Sequence, residues 1–277
     1  WCNRPVVVIG RNQNPYLECS LDQLEQTGVP VVRRLSGGGA VYHDLGNLNY
    51  TFFCPEEQMD IQHQTNVIRR ALEDLGITAT FSGRNDLLVE GRKISGAAYY
   101  TENGCAYHHG TLLIDVDLEQ MAQALTPSGL KLKTKSISSV RQRVANLKEI
   151  NPNLTMTAVA QALMARFQAE YGAAEVRTWD FEVCPPEHLE RYRSAAWNLG
   201  DCPAYDAALE VPVAGGVVRV MAHVVQGAIT KASLSSDLLE ALSVLCLEQA
   251  LTGCLFTGEI SPALNKYNKG EMSHGRL

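Results

Sequence analysis

Several signatures are missing from this chain of 277 residues. No apolar run approaches the roughly 20 residues that a membrane-spanning helix needs. Eight cysteines fall at positions 2, 19, 54, 105, 184, 202, 246 and 254 without one CxxC pair. That removes a zinc ribbon and a thioredoxin-type site, and the scatter reads as reduced, mostly buried thiols of a cytosolic protein. Positive charge is not in excess: the net charge is -6, which speaks against a general nucleic-acid binder. No GxxxxGK[ST] phosphate loop occurs, since Gly83 to Gly91 has the wrong spacing and no Lys-Ser/Thr after it. Internal repeats and a visible transit peptide are lacking too, so bacterial cytoplasm is the expected location. The chain opens at Trp1 without a methionine and enters an apolar strand by Val6, as a beginning cut from something longer would.

What is present reads as α+β. The strand Val6–Ile9 leads through a polar loop to a short helix from a Ser20 cap to Gly28. Residues 31–53 read as a hairpin-like pair of strands, with Leu48, Tyr50 and Phe52 alternating on a buried face. An amphipathic helix over 61–75 presents Ile61, Val67, Ile68, Leu72 and Leu75 to one side and stops at Gly76. Four short strands follow to residue 116, then a helix capped by Asp117. Two further helices are expected, around 139–149 and 155–171. From about 176 the character changes to a Trp/Pro-marked stretch, a hairpin over 208–232, a helix from Ser235 to Leu251 and a polar tail. The expected division is therefore a domain over 1–175 and a small α+β accessory domain over 176–277.

The stretch Arg33 to Phe53, "RRLSGGGAVYHDLGNLNYTFF", carries the densest chemistry. Gly37, Gly38 and Gly39 lack Cβ, so the backbone can take positive φ and a ligand can approach it. Successive amides there would make a nest for a phosphate or carboxylate, and one of Arg33 and Arg34 would reach the same anion bidentately. The bland alternative is a glycine-rich turn flanked by surface arginines. In "SGRNDLLVEGRKISGAA" strand parity puts Lys93, Ser95 and Ala97 on one face, a lysine with open space before it. Its alternative is a surface lysine whose stem covers apolar neighbours. Asp86 suits Mg²⁺ beside a nucleotide, or equally a turn cap. In "YHHGTLLIDV" His108 and His109 cannot both face inward, and a Cys105/His109 metal site lacks further ligands. Five basic residues within 131–143 form either a solvated loop or a cationic lid over an anion.

Together these stretches resemble the lipoate–protein ligase family of the biotin/lipoate ligase superfamily. Its pattern, RRxSGGGAVYHDxGN, GRNDLxxxGxKISGxA, HHGTLL and a K…RVxNL loop, is met here in order, and "VVIGRNQNPYLE" and "WNLGDCPAYD" also fit. A biotin ligase would show a GRGRxGR-like loop instead. The resemblance implies a catalytic domain with a mixed or antiparallel sheet. It also implies a helix and a strand ahead of the first strand here, and the sequence lacks both. The activity implied is two-step: lipoate and MgATP give lipoyl-AMP, and the acyl group passes to a lysine of apo lipoyl domains. Acceptors would be the 2-oxoacid dehydrogenase complexes and the glycine cleavage H protein, and the enzyme a cytoplasmic monomer needing neither nucleic acid nor membrane.

By the same resemblance Lys93 is the catalytic cation between carboxylate and α-phosphate. Arg34, the Gly37 and Gly38 turn, and the backbone of Gly39, Ala40, Val41 and Tyr42 hold ATP. Asn85 and Asp86 stand on the phosphate–Mg²⁺ side, with Asp86 as metal ligand. His43, Ser95, His109 and Arg143 line the pocket, and residues 138–146 close over the adenylate. The lipoyl tail is expected between the Leu48/Tyr50/Phe52 and Leu87/Val89 strands. Two rivals stand beside the ligase. One is a lipoyl or octanoyl transferase using a pre-activated acyl group, for which Cys54 or Cys105 would be the nucleophile to test. The other is a non-catalytic homologue that binds the adenylate.

Overall fold

The computed structural model describes residues 1–82, 85–125, 143–178, 187–199, 207–213, 216–225, 228–236 and 244–254. Residues 131–142 of the expected lid and the polar tail lie outside them. The α+β class is observed, with antiparallel pairing throughout the named strands of the described residues except for one parallel pair. Among the described residues no helix is long and apolar enough to cross a membrane.

A three-stranded sheet has β1 (Val6–Ile9) at its centre, parallel to β2 (Val31–Arg33) and antiparallel to β3 (Val41–His43). The expected hairpin over 31–53 is therefore corrected: β2 and β3 each pair with β1, and the glycine stretch spans the gap between the two outer strands. Helices α1 (Pro15–Glu18) and α2 (Leu21–Thr27) precede β2; α2 ends at Gly28 with φ 68°, but the Ser20 side chain makes no cap bond.

The larger sheet has the order β4-β8-β7-β6-β5, from β4 (Asn47–Pro55), β5 (Thr80–Phe81), β6 (Asp86–Val89), β7 (Arg92–Glu102) and β8 (Cys105–Leu113). One face is covered by α3 (Ile61–Asp74), whose Asp60 carboxylate caps the His63 amide and whose Val67, Ile68, Ala71 and Leu72 are buried. Helix α6 (Met156–Tyr171), capped by Thr155, packs on α3. The core between them holds Leu48, Leu87, Val89, Ile94, Leu112 and Ile114. Burying each such side chain contributes about 1.5–3 kcal/mol. The lipoyl-tail expectation fails here, because Leu48, Leu87 and Val89 are filled core positions.

Helix α4 (Leu118–Ala124) starts at the Asp117 cap, as expected. The helix expected over 139–149 is shorter where it is described: α5 covers Leu147–Ile150, because residues 143–145 pair with Lys93 instead. Short helices α7 (Leu189–Arg193) and α8 (Ala195–Asn198) lead to an antiparallel meander, β9 (Ala207–Val213), β10 (Gly216–Val225) and β11 (Ala228–Ser236). The expected hairpin is thus three strands. Ser235 and Ser236 belong to β11, paired with Arg219 and Val218, so the described part of the last helix, α9, is Val244–Leu251.

The meander joins the rest through charge and backbone. Arg219 reaches Glu18 of α1 at 3.1 Å as well as its own neighbour Glu210, and the Ser236 amide donates to the carbonyl of Asn12 at 3.0 Å.

Candidate functional site

The site is built where the second face of the large sheet meets the glycine stretch. Thr51, His109 and Ala98 form one cross-strand row on that face, and Gly96 lies one row along. Ser36, between β2 and β3, closes on this row: its Oγ is 2.6 Å from Nε2 of His109.

Arg34 organises the stretch from within. Its guanidinium donates to the carbonyls of Val8 (3.1 Å), Gly37 (2.6 Å) and Gly39 (2.8 Å) and to Ser36 Oγ (3.2 Å). Burial lowers its pKa to about 10, so it stays charged. The expectation that an arginine reaches an external anion bidentately is corrected, because Arg34 is engaged by its own loop. Arg33 is engaged elsewhere, donating to the carbonyls of Gly10, Arg11, Gln13, Trp197 and Asn198. Gly38 has φ 90°, and a Cβ on Gly10 would come 2.1 Å from its carbonyl oxygen. Among the described residues nothing accepts a hydrogen bond from the amides of Gly37, Gly38, Gly39 or Ala40, and a Cβ on Gly39 would meet nothing within 4 Å. Val41 and Tyr42 are held in β3 against Val8 and Val7.

Lys93 sits on the same sheet face, but not by simple alternation. Ile94 has no partner across the ladder, since Leu87 pairs with Ser95 and Leu88 with Lys93. This bulge turns Ile94 and Ser95 into the interior and moves Lys93 to the face of Gly96 and Asp86. The predicted Lys93/Ser95/Ala97 face is therefore corrected. Lys93 Nζ lies 2.8 Å from Asp86 Oδ1 and would lie 2.8 Å from a Cβ on Gly96. Its backbone accepts from the Ala145 amide and donates to the Arg143 carbonyl, which brings Arg143 beside it. Asn85 is a brace: its Nδ2 donates to the Ala97 carbonyl at 2.6 Å and its own carbonyl accepts from the Ala97 amide. Ser95 is buried and hydrogen-bonds the Tyr50 hydroxyl, away from Lys93.

The histidines are neutral. Burial, then the Arg34 charge, lowers His43 to about 4 and His109 to about 3; burial lowers His108 to about 4. Asn3 Nδ2 donates to His43 Nδ1 at 3.0 Å, which leaves the proton on Nε2. That Nε2 is buried and lacks a partner among the described residues, as does the Oδ1 of Asn47, itself only 1% exposed. A donor and an acceptor without partners, both within the β3–β4 segment, are what a bound molecule would satisfy. Sequence reading missed Asn47 and Ser36; the "GNLN" spacing, which puts Asn47 and Asn49 on one face of β4, was the available signal.

His108 faces the opposite side, stacked on Phe52 and bonded to Gln64, so of the pair only His109 joins the site. Cys54 lies on that same far side, beside Gln64. Cys105 is exposed at the end of β8, four residues from His109, about 13 Å along a strand. Neither cysteine is at the glycine stretch. No group of three or more His, Cys, Asp or Glu that could hold a metal occurs among the described residues. Asp86 supplies one partly exposed carboxylate, with Oδ1 facing only the Lys93 ammonium. That fits Mg²⁺, which binds through one or two carboxylates together with substrate phosphates and water.

Comparison with solved structures gives the same architecture. P. falciparum LipL1, determined in complex with lipoate, is 29% identical, with a TM-score of 0.76 over 96% of this chain and 80% of that one. A bipartite lipoate protein ligase of Thermoplasma acidophilum, analysed with its E2 lipoyl domain, is 29% identical, with a TM-score of 0.63 over 74% of this chain and 84% of that one. Lipoate-protein ligase A bound with ATP is 26% identical, with a TM-score of 0.61 over 72% and 83%. The family model for the lipoyl protein ligase A/B catalytic domain matches residues 1–168, more than half of the chain, which therefore belongs to the lipoate–protein ligase family.

Proposed function

We propose that the protein is an ATP-dependent lipoate–protein ligase. In the first step an oxygen of the lipoate carboxylate attacks the α-phosphorus of ATP, the α–β bridge breaks, and pyrophosphate leaves with the electron pair. In the second step a lysine amine of an apo lipoyl domain attacks the acyl carbon. The carbon–oxygen bond to phosphate breaks, AMP leaves, and the amine loses a proton.

The observation that carries this reading is a cation on the sheet face over which the glycine stretch closes. The Lys93 ammonium is held 2.8 Å from Asp86 on the sheet face where the glycine stretch closes over His109. Carboxylate and α-phosphate repel each other, and a fixed ammonium between them is favoured most as charge shifts in the transition state. The amides of Gly37 to Ala40 are the donors available to phosphate oxygens. Asp86 would hold Mg²⁺, which when bound would supply charge neutralisation at the phosphates. Neutral His43 and His109 keep further positive charge out of the pocket and offer hydrogen bonds, not protons. Gly96 and Ala98 leave the sheet surface low beside Lys93, and the lipoyl tail is assigned to that face.

The test is the intact mass of an apo lipoyl domain after incubation with the chain, lipoate and MgATP. A lipoyl increment that needs both ATP and Lys93 is the expected result. An increment that appears without ATP, or that survives Lys93→Ala undiminished, overturns the reading.

A further inference from the structure

Beside the site lies a band of aromatic rings that the chemistry of the two steps does not use. Phe53, Tyr107 and Tyr100 stand in register across β4, β8 and β7, with ring centroids 5.7 and 5.5 Å apart. Tyr107 continues to His109 at 5.4 Å, so the band starts at the site itself. Tyr192 of α7 stands within electrostatic reach of Tyr100 and Tyr107, and it meets Trp197 of α8 edge to face at 5.7 Å. Phe53 is 78% exposed at the outer end, the highest fraction among the exposed large hydrophobic side chains of the described residues.

Charge distinguishes this band from a stray apolar patch. The guanidinium carbons of Arg11 and Arg191 both stand over the Trp197 ring, at 4.3 and 4.0 Å, hence no more than about 8 Å apart. Neither is paired with a carboxylate among the described residues. Two exposed like charges held this close, in a protein of net charge -6, make a local cationic pole. Tyr, Trp and Arg are also the residues that dominate protein–protein contacts, because they present large, stiff area. The Arg11 amide donates to the Ser36 carbonyl at 2.9 Å, so the pole borders the glycine stretch.

We infer that the band Tyr100–Tyr107–Tyr192–Trp197 with Arg11 and Arg191 is the docking surface for the lysine-bearing segment of the acceptor domain, and that this segment carries carboxylates beside the lysine. The inference rests on the ligase reading. A lysine that must enter the site from outside brings its flanking residues over the rim, and the charge there selects carboxylates. The band orients the incoming segment and takes no part in adenylate formation.

The experiment uses the full chain with Arg11→Glu and Arg191→Glu combined, and the milder Arg11→Gln/Arg191→Gln pair as a guard against misfolding. Two readouts are compared: lipoate-dependent ATP–pyrophosphate exchange, and transfer to the apo lipoyl domain of a 2-oxoacid dehydrogenase complex. Exchange is expected to stay within about twofold. For transfer, kcat/KM should fall at least tenfold, mainly through KM, and lose its salt dependence. Exchanging the carboxylates beside the acceptor lysine for lysines should recover transfer by the Glu variant. Unchanged transfer, a parallel fall in exchange, or no recovery with the exchanged acceptor overturns the inference. A wild-type chain that performs no exchange would instead sink the ligase reading. Calorimetric binding of the apo domain, expected to weaken tenfold in the Glu variant, then decides the docking surface by itself.

Discussion

A methyl group built on Gly10 would stand 2.1 Å from the carbonyl oxygen of Gly38, across the gap between β1 and the glycine stretch. Nothing there can yield except backbone, because the Gly38 peptide is flanked by carbonyls that hold Arg34. Gly10→Ala should therefore destabilise the fold by about 1–3 kcal/mol and abolish adenylate formation, read by urea unfolding and pyrophosphate exchange. Gly39→Ala is the contrast. With open space around the added carbon, it should leave unfolding unchanged within about 0.5 kcal/mol while raising KM for ATP. Equal kinetics for Gly39→Ala and wild type would mean that the space is not where nucleotide binds.

Lys93 and Asp86 give a second pair of outcomes. Lys93→Ala should lower the adenylation rate on the order of a hundredfold, the usual cost of removing one donor from a developing charge. Gly96→Ala should weaken adenylation without touching a catalytic atom, since its methyl would arrive 2.8 Å from Nζ and displace the ammonium from Asp86. Rapid-quench measurement of lipoyl-AMP formation checks both. A Gly96→Ala enzyme as fast as wild type would show that the ammonium position does not matter.

The helix α3 was legible because the local signals agreed: an apolar stripe and Gly76 with φ 76° at the end. The positive φ of Gly38 was legible for the same reason, since three successive residues there lack Cβ. What stayed hidden depends on residues far away in sequence. Parity could not reveal the bulge at Ile94, next to which residues 143–145 bond to Lys93 from 50 positions on. Arg34 could not be told from an anion ligand, because its carbonyl partners are arranged only once β2 and β3 flank β1. Ser235 reads as the start of a helix, but pairing with Arg219 makes it strand.

Stability should depend on pH through the buried histidines. In the unfolded chain an imidazole titrates near 6.5, whereas folding lowers His43 and His108 to about 4 and His109 to about 3. Between those values the unfolded state binds more protons, so stability is full above pH 7 and declines as pH falls from about 6.5 toward 4. Each histidine adds up to about 1.4 kcal/mol per pH unit in that window. Urea unfolding of His108→Gln at pH 7.5 and 5.5 should show a smaller decline than wild type; an identical decline would contradict a neutral, buried His108.

Arg33 ties α8 to the loop after β1 through carbonyls on both sides. Arg33→Ala should cost on the order of 3 kcal/mol, because several part-buried carbonyls lose a charged donor together. Arg33→Lys should recover little of it, since one ammonium cannot reproduce a planar fork. Limited proteolysis between residues 172 and 188 should speed up in both variants. Unaltered cleavage would mean that other contacts hold α8.

Arg34 has its charge answered by the carbonyl oxygens of its own loop. A peptide plane with its oxygen turned inward presents its hydrogen outward on the opposite edge. The buried cation thus polarises the loop and passes positive potential to the surface through the peptide dipoles, without touching whatever binds there. A guest anion would meet a field set in place during folding, with no long side chain left to immobilise on its arrival.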